Sequence, residues 1–375
     1  MIKICQADLE GDDLSDITHE SGKHHTNRRA FLRGSAALTV AAATGGLSLS
    51  AAGTANATVD PTLHFKLDGT GGNPVLRQTL HQPYWAMQSF AYDHVYGHIY
   101  FVQSKVGSKN GDLWVTRTDL SGNVLGAMAI HKFDHGSSIG VEPDTDGSPY
   151  IWVAGDWESS NPHADPPEPS NSHEIARFKY KDGGDLDYFN RGGQYLGIFS
   201  VDVATFLDCP RPAIDPYNNR LLIRYMGTTT PWRLALFDLS EVLSSGVISK
   251  RLLERAIPTN AELGLNDSDL FQGITAYGQY AYLLFGGPPS SSDSTPPSYI
   301  VCIDMNDPGS AYRWKFATTA GASLPGREPQ GIAVWRSPGG PRLAFGFSDK
   351  ITTTSPDQFG TSVFFKDQLT SLWPS

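Results

Sequence analysis

The sequence predicts an all-β fold, and within that class a β-propeller of five four-stranded blades. Short runs rich in β-branched and aromatic residues alternate with Gly, Pro, Ser, Asp and Asn, which is typical of strands separated by turns. Two classes of segment also alternate along the chain. Members of the second class begin at residues 112, 173, 232, 298 and 361, at intervals of 61, 59, 66 and 63 residues. A β-sandwich is the main competing fold, but it does not explain this period.

Each repeat supplies the strands of one blade. The first class, a strand, a turn and a second strand, reads MQSFAYDHVYGHIYFVQ from 87, HGSSIGVEPDTDGSPYIWVAG from 135, CPRPAIDPYNNRLLIRYM from 209, FQGITAYGQYAYLLFG from 271 and PQGIAVWRSPGGPRLAFGFS from 329. The second class reads DLWVTRTDLSG, HEIARFKYKDG, WRLALFDLSE, SYIVCIDMND and TSVFFKDQL. It gives a third strand, and a short outer strand such as residues 124–130 follows. Repeating such units around an axis leaves few exposed sheet edges.

Two segments fall outside the repeats. Residues 240–256 (SEVLSSGVISKRLLERA) hint at a helical turn that Ser-Ser-Gly interrupts. Residues 63–67 (LHFKL) resemble the third-strand class ahead of any complete unit. We expect them to complete the sheet of the last blade, so that pairing of N- and C-terminal strands closes the ring.

Residues 1–57 are predicted to be an export signal. A basic stretch precedes an apolar run rich in Ala, Gly and Thr, and a small-residue cleavage site follows at 55–57. Arg28-Arg29 followed by Phe31-Leu32 resembles the twin-arginine signal. The run is too short and too polar to span a bilayer. We therefore expect a secreted protein with no membrane span, whose residues 58–375 form a single propeller domain.

The composition limits the class of partner and cofactor. The net charge of −10 argues against nucleic acid as a partner. Cys5 lies in the predicted leader, and Cys209 and Cys302 are too few for a disulfide framework. Residues 144–147 (DTDG) begin like a calcium loop but lack its later carboxylates, so they predict a β-turn. No metal site or cofactor is expected, with a structural calcium left open, and the chain is expected to be monomeric.

Aligning the five repeats places polar residues at equivalent positions, where the inner strands begin. These positions are Gln88, His135, Arg211, Gln272 and Gln330. Each is followed by a small residue or Pro, which suits five strands that converge on an axial channel. These residues are expected to form the floor of a ligand site. Alternatively, His135 and Arg211 make structural hydrogen bonds to Asp134, Asp208 or Glu328, because buried polar groups need partners.

Further side chains are candidates for the same end of the molecule. His81, Tyr84 and Trp85 combine an imidazole with two aromatic rings, a composition that suits binding of sugars. Arg224 alternates with hydrophobic residues and could point into a groove. Tyr217 and Tyr225 flank the turn and second strand of the third repeat.

The segments MQSFAYD, GDLWVTRTDLSG, HGSSIGVE, FQGITAYG and PQGIAVW resemble a β-propeller family shared by phage receptor-binding proteins and proteins labelled teichoic acid biosynthesis protein C. The resemblance covers most of residues 80–370. More distantly, the chain is similar to helveticin-type bacteriocins and to secreted lyases that cleave rhamnosyl-glucuronate linkages. It implies a propeller that engages a polysaccharide, either to bind it or to cut it.

A lyase that cleaves a uronate-containing glycan by β-elimination would use each candidate in a defined role. Arg211 would neutralise the uronate carboxylate, His135 would act as the base, and Tyr217 or Tyr225 would act as the acid, with His81 as a substitute for either role. Gln88, Gln272 and Gln330 would hold substrate hydroxyls, and Arg224, Trp85 and Tyr84 would also bind the substrate. The same resemblance also fits a non-catalytic propeller that recognises a cell-wall or capsular glycan, and a bacteriocin-like protein.

Overall fold

The computed structural model describes residues 58–105, 110–155, 174–193, 196–201, 208–226, 232–288, 296–352 and 356–374. The predicted leader, residues 1–57, and the side chain of Cys209 lie outside the described residues. Five sheets, each built on four antiparallel strands, make up a five-bladed β-propeller. The predicted fold class is confirmed.

The N-terminal strands and the first two blades are as follows. Two strands precede the blades, β1 (His64–Phe65) and β2 (Gly71–Gln78). The first blade contains β3 (Trp85–Asp93), β4 (His98–Lys105), β5 (Leu113–Asp119) and β6 (Val124–His131). The second contains β7 (Gly140–Glu142), β8 (Tyr150–Gly155), β9 (Glu174–Lys179) and β11 (Leu196–Val201), with β10 (Asp185–Asp187) between the last two.

The other three blades follow the same order. The third contains β12 (Asp208–Asp215), β13 (Arg220–Met226), β14 (Trp232–Asp238) and β16 (Arg251–Ala256), with α1 (Leu239–Ser245) and β15 (Val247–Ile248) between the last two. After α2 (Asn260–Leu263), the fourth contains β17 (Phe271–Tyr277), β18 (Tyr280–Phe285), β19 (Ser298–Asp304) and β20 (Trp314–Thr318). The fifth contains β21 (Glu328–Ser337), β22 (Gly340–Thr352) and β23 (Gln358–Lys366), and β24 (Leu369–Thr370) is the last strand.

The N-terminal strand in the last blade is not the predicted one. The fourth strand of that sheet is β2, which pairs with β23 in antiparallel register. Residues 63–67 instead contain β1, which pairs with β24 in a separate two-stranded sheet. The backbone N–H of Phe65 donates to the Tyr282 hydroxyl at 3.0 Å, which fixes β1 against the fourth blade. The sequence of β2, GGNPVLRQ, hides its strand character because Gly, Asn and Pro disfavour strands, although Pro is tolerated on an edge strand.

Two short strands extend neighbouring blades. β10 lies in the connection between the third and fourth strands of the second blade, yet it pairs in parallel with β6 of the first blade. In the same way β15, from the third blade, pairs in parallel with β11 of the second. Each therefore covers the outer edge of a sheet, which would otherwise present unpaired backbone groups.

The predicted helical turn is shorter than residues 240–256. Asp238 caps α1 by accepting a hydrogen bond from the Glu241 backbone N–H at 2.9 Å. Gly246 ends the helix with φ of 70°. The rest of the segment returns to extended structure, and β16 becomes the outer strand of the third blade.

The hydrophobic core consists of layers between successive sheets. Adjacent residues of β4 illustrate this arrangement, because Val102 packs on the second-blade side and Phe101 packs in a different layer with Val75 and Ala333. Cys302 lies in a further layer beside Tyr282, where burial raises the pKa of its thiol. In the described part of the chain, no helix is long and apolar enough to cross a membrane.

Candidate functional site

Three glutamines lie in β-bulges at the start of inner strands. The register of the strand pairs shifts around Gln88 in β3, around Gln272 in β17 and around Gln330 in β21. All three side chains are buried. A bulge sets two residues against one on the partner strand and redirects a side chain. A β-bulge thus occurs in three of the five blades, at the position that the alignment of the repeats identified.

The backbone just after these residues closes the inner strands into a ring. A Cβ atom built on Gly331 would lie 2.7 Å from Cα of Ser89, and one built on Gly273 would lie 3.0 Å from Cα of Gly331. The Ser89 hydroxyl donates to the carbonyl of Gly136 at 2.5 Å. The Ser138 hydroxyl donates to the carbonyl of Pro212 at 2.7 Å. The sequence positions of all five polar residues therefore lie beside these contacts at one end of the propeller, which we call the mouth.

Below the mouth, the described inner strands leave almost no space on the axis. A cavity of about 10 Å³ is lined by residues of all five inner-strand segments, including Ala91, Val141, Ala213, Thr275 and Ile332. A volume of roughly 10–15 Å³ holds about one water molecule. The expected axial channel is therefore filled by small and β-branched side chains at this level, and the candidate site is a surface mouth.

Arg211 is held at the mouth by a buried ion pair. Its Nη1 lies 2.9 Å from Oδ2 of Asp134, and both side chains are almost completely buried. Its Nε donates to the hydroxyl of Ser137 at 2.8 Å. Burial lowers the pKa of Arg211 while the Asp134 carboxylate raises it. His135, next in sequence to Asp134, is only partly buried. The contact between Arg211 and Asp134, one of the three partners considered for it, is a buried ion pair.

Arg224 lies opposite Arg211 in the pairing of β13 with β12. Its guanidinium carbon is 3.4 Å from the ring centroid of Trp232 and 3.8 Å from that of Phe271, so two rings stack on the cation. Only 5% of the residue is exposed. Burial lowers its pKa well below the usual value, and the charge of Arg211 lowers it further. Among the described residues, no carboxylate forms a salt bridge with Arg224.

Sequence reasoning missed the residues that hold Arg224. Trp232 begins β14, whereas Phe271 begins the inner strand of the next blade. No local pattern links these positions to residue 224. An Arg within the otherwise hydrophobic run LLIRYM, residues 221–226, was the only signal in the sequence.

Tyr217 does not lie at the mouth, which corrects its grouping with Arg211. Asp215 lies four positions after Arg211 along the strand, roughly 13 Å at the usual rise, and Tyr217 lies beyond it in the turn. Its backbone N–H donates to Asp215 Oδ1 at 2.9 Å. Its ring packs edge-on against Tyr277. Tyr217 therefore belongs to the opposite end of the propeller.

Tyr225 is also removed from the proposed site. Successive residues of a strand point to opposite faces, so Tyr225 points away from Arg224. It is fully buried in a layer with Trp152 and Phe237, and its hydroxyl donates to Glu254. Burial and the Glu254 carboxylate both raise its pKa. Tyr225 thus has a packing role in the third blade.

We expect Tyr225→Phe to lower the free energy of unfolding by about 1–2 kcal/mol, because a buried hydrogen bond to a carboxylate is lost while Arg233 and Arg251 still contact Glu254. Glycan binding should not change. The control is Tyr96→Phe, which removes an exposed hydroxyl bonded to the carbonyl of Thr145. Chemical denaturation of both variants measures the difference, and equal stability of the two would contradict the assigned role of Tyr225.

His81 and Tyr84 lie in the link between β2 and β3, and Trp85 is the first residue of β3. The ring of His81 packs on Trp114 at 4.5 Å between centroids, on the outer part of the first blade. Tyr84 is 46% exposed. The buried Gln103 side chain holds this link by donating to the carbonyls of Gln82 and Trp85. His81 therefore contacts the outer strands of the first blade rather than the inner ring.

Metal binding finds no geometric support in the described ranges. No group of three or more His, Cys, Asp or Glu side chains there is arranged to hold a metal ion. The DTDG segment forms a turn, in which Lys179 pairs with the carboxylates of Asp144 and Asp146.

Comparison with known proteins adds to this geometry. A family model described as the phage 5-bladed beta propeller receptor binding platform domain matches residues 86–335. A Bacillus subtilis (strain 168) protein described as major teichoic acid biosynthesis protein C is 26% identical over 265 residues, which cover 67% of this chain and 53% of that protein. The tail fiber of Staphylococcus aureus phage P68 superposes with a TM-score of 0.53 at 18% identity, over 82% of this chain and 53% of the fiber chain.

The chain thus spans about half the length of each of these two proteins. The likeness to the tail fiber supports the fold. The family match covers both the mouth and most of the five blades, and it extends over more than half of the sequence. The chain therefore belongs to the family of phage 5-bladed β-propeller receptor-binding platform domains.

Proposed function

We propose that this protein is a glycan-binding propeller that recognises an anionic surface polymer at its mouth. The observation that carries the proposal is Arg224, a buried cation stacked between two aromatic rings, for which the described residues provide no carboxylate partner. A buried charge is costly unless an opposite charge compensates it. An anionic group of a bound polymer would supply that charge.

The charges around the mouth favour an anion. Arg211 and Arg224 interact with each other, whereas Asp134 contributes one buried carboxylate beside Arg211. Two of these three side chains are cationic and one is a carboxylate, within a protein whose net charge is −10. In a region of low dielectric a buried positive charge is screened less than an exposed one, so it can attract a carboxylate or a phosphodiester.

The comparisons support the same class of ligand. The family description names receptor binding. The name of the Bacillus subtilis relative refers to teichoic acid, and teichoic acids are polyanions. Uronate polymers share this charge, so a carboxylate and a phosphate are two forms of one ligand chemistry.

We expect Arg224→Met to weaken polyanion binding by about tenfold or more, as loss of a charge pairing in a buried setting would. The probes are purified wall teichoic acid, polygalacturonate and, as a neutral control, dextran. The matched variant is Arg336→Met, which removes the same charge from an exposed position at the far end of β21. Affinity electrophoresis of each protein in gels containing one polymer measures retardation.

The two polyanions carry different charged groups, phosphate in teichoic acid and carboxylate in polygalacturonate. Retardation by only one of them identifies which group the protein binds. Arg224→Lys keeps the charge but loses the planar group that stacks on the rings, so an intermediate affinity is expected. Thermal unfolding verifies that each variant is folded. The proposal fails if neither polyanion retards the wild-type protein, or if Arg224→Met binds as tightly as Arg336→Met.

A uronate lyase is the second candidate function, and the partly buried His135 beside the Asp134–Arg211 pair favours it. His135 would remove the C5 proton, and Arg211 would lie near the carboxylate. The two tyrosines expected to act as the acid lie elsewhere, and Arg211 is already ion-paired with Asp134 and hydrogen-bonded to Ser137. Binding without cleavage therefore has the stronger support. Release of an ultraviolet-absorbing unsaturated uronate by the wild type, and its loss in His135→Ala, would reverse that order.

A further inference from the structure

A second concave surface lies on the outer part of the first blade, away from the inner ring. We call it the blade-one groove; its lining includes His81, Trp114, Ala129, His131, Asp182 and Asp185. Its volume is about 540 Å³. Small-molecule sites typically measure roughly 300–1,000 Å³. The groove is therefore large enough for a saccharide unit.

Small residues keep the groove open beside an indole ring. In β6, Ala127 and Ala129 alternate with Met128 and Ile130, which pack in the core. Ala129 is paired with Trp114 across the sheet. Because its side chain is a single methyl group, it leaves space next to the indole that a larger residue would fill.

The edge of the groove carries fixed polar groups. Nδ1 of His131 lies 3.0 Å from Asp112 Oδ1, and Nε2 lies 3.2 Å from Asp185 Oδ1, so both ring nitrogens face carboxylates. The side chain of Asp185 is 75% exposed, which leaves it accessible to a ligand. Asp182 fixes the loop that bounds the groove by accepting a hydrogen bond from the Ala127 backbone N–H at 2.9 Å.

The indole ring and the carboxylates of the groove together favour one class of ligand. The apolar face of a sugar ring packs on indole, and carboxylate oxygens accept hydrogen bonds from hydroxyls. The same carboxylates repel uronates and phosphates. The groove thus differs in charge from the mouth, where Arg224 favours an anion.

We propose that the blade-one groove binds a neutral, hydroxyl-rich pyranose unit of a glycan, with Trp114 as the stacking platform and Asp185 as an acceptor for hydroxyl groups. This site is separate from the mouth, and its occupancy does not depend on the anion binding proposed above. A branched or mixed polymer could engage both.

The test uses cellohexaose, chitohexaose and maltohexaose as neutral probes and polygalacturonate as an anionic one. Protein containing 5-fluorotryptophan gives separate fluorine resonances, and that of Trp114 is assigned from its loss in Trp114→Phe. At least one hexaose at millimolar concentration is expected to shift this resonance. Because Trp114 variants lack this resonance, isothermal titration calorimetry with the same hexaose measures their affinity; Trp114→Ala should weaken binding by about tenfold or more, and Trp114→Phe should retain most of it.

Two further variants separate binding from folding. Asp185→Ala changes an exposed side chain and should weaken hexaose binding without altering thermal unfolding. Tyr96→Ala, in the exposed turn after β3, should bind like the wild type, and so should Arg224→Met. The proposal is overturned if no hexaose shifts the Trp114 resonance, if Trp114→Ala and Asp185→Ala bind as tightly as the wild type, or if polygalacturonate alone occupies the groove.

Discussion

Replacement of Asp134 by Ala is expected to lower the free energy of unfolding by about 3–5 kcal/mol, because one partner of a buried ion pair is removed and the other is left behind. Arg211 is 4% exposed and its Nη1 lies 2.9 Å from the Asp134 carboxylate. After the substitution, the guanidinium would keep its bond to Ser137 but would lie near the charge of Arg224 without the Asp134 carboxylate. The mouth would then hold two buried cations.

Urea denaturation followed by tryptophan fluorescence measures this loss. The matched control is Asp357→Ala, which breaks an ion pair to Lys350 at 2.7 Å that is partly exposed on both sides. Exposed pairs contribute roughly 0–1 kcal/mol, so this variant should remain close to the wild type. Arg211→Met added to Asp134→Ala should recover part of the loss, since it removes the buried charge that has lost its Asp134 partner. Equal effects of Asp134→Ala and Asp357→Ala would show that the pair has no special role in the fold.

The fold could be predicted because the pattern of strands repeats at a regular interval along the sequence. Strands of similar type recur about every 60 residues, and closing such a series around an axis is the arrangement that buries their edges. The segments that were assigned wrongly depend on tertiary contacts. LHFKL has the composition of a strand, but Phe65 is fixed by Tyr282 of the fourth blade, while the Gly-rich and Pro-containing β2 pairs with β23.

The alignment of the repeats was enough to predict which residues lie at the mouth. Equivalent positions in five copies must lie at one level, so the alignment found Gln88, Gln272 and Gln330, each of which lies in a bulge. The two tyrosines were grouped by nearness in sequence to Arg211 and Arg224. Strand geometry separates them, because Tyr225 points to the opposite face and Tyr217 follows the far end of β12.

The contacts around Arg224 and the blade-one groove could not be predicted, because they join segments far apart in sequence. Phe271 reaches Arg224 from the neighbouring blade. The groove likewise depends on β10, which leaves the second blade to pair with β6 of the first. That pairing brings Asp185 to His131 and adds a carboxylate to an otherwise aromatic surface. The charge difference between the two candidate sites therefore arises from the way the blades connect.

Substitution of Gly331 by Ala is expected to cost about 2–5 kcal/mol of unfolding free energy, combining the penalty of a left-handed backbone with that of overpacking. Gly331 has φ of 79°, and its Cβ would lie 2.7 Å from Cα of Ser89 on the neighbouring inner strand. The obstacle is backbone, so it cannot rotate away as a flexible side chain would. Relief requires β21 and β3 to move apart, which would displace Gln330 and Gln88 together.

A matched control separates the two penalties. Gly193 has nearly the same φ, 81°, but a Cβ there would meet no atom of the described residues within 4 Å. Gly193→Ala should therefore show only the backbone cost, about 1–2 kcal/mol. Denaturation of both variants gives the difference, which measures how tightly the inner ring is packed. Since the ring also positions the mouth, folded Gly331→Ala should bind polyanion more weakly than Gly193→Ala under conditions where both are native. If the two variants match in stability and in binding, the inner strands can separate at little cost, and the mouth is not the rigid platform inferred from its backbone contacts.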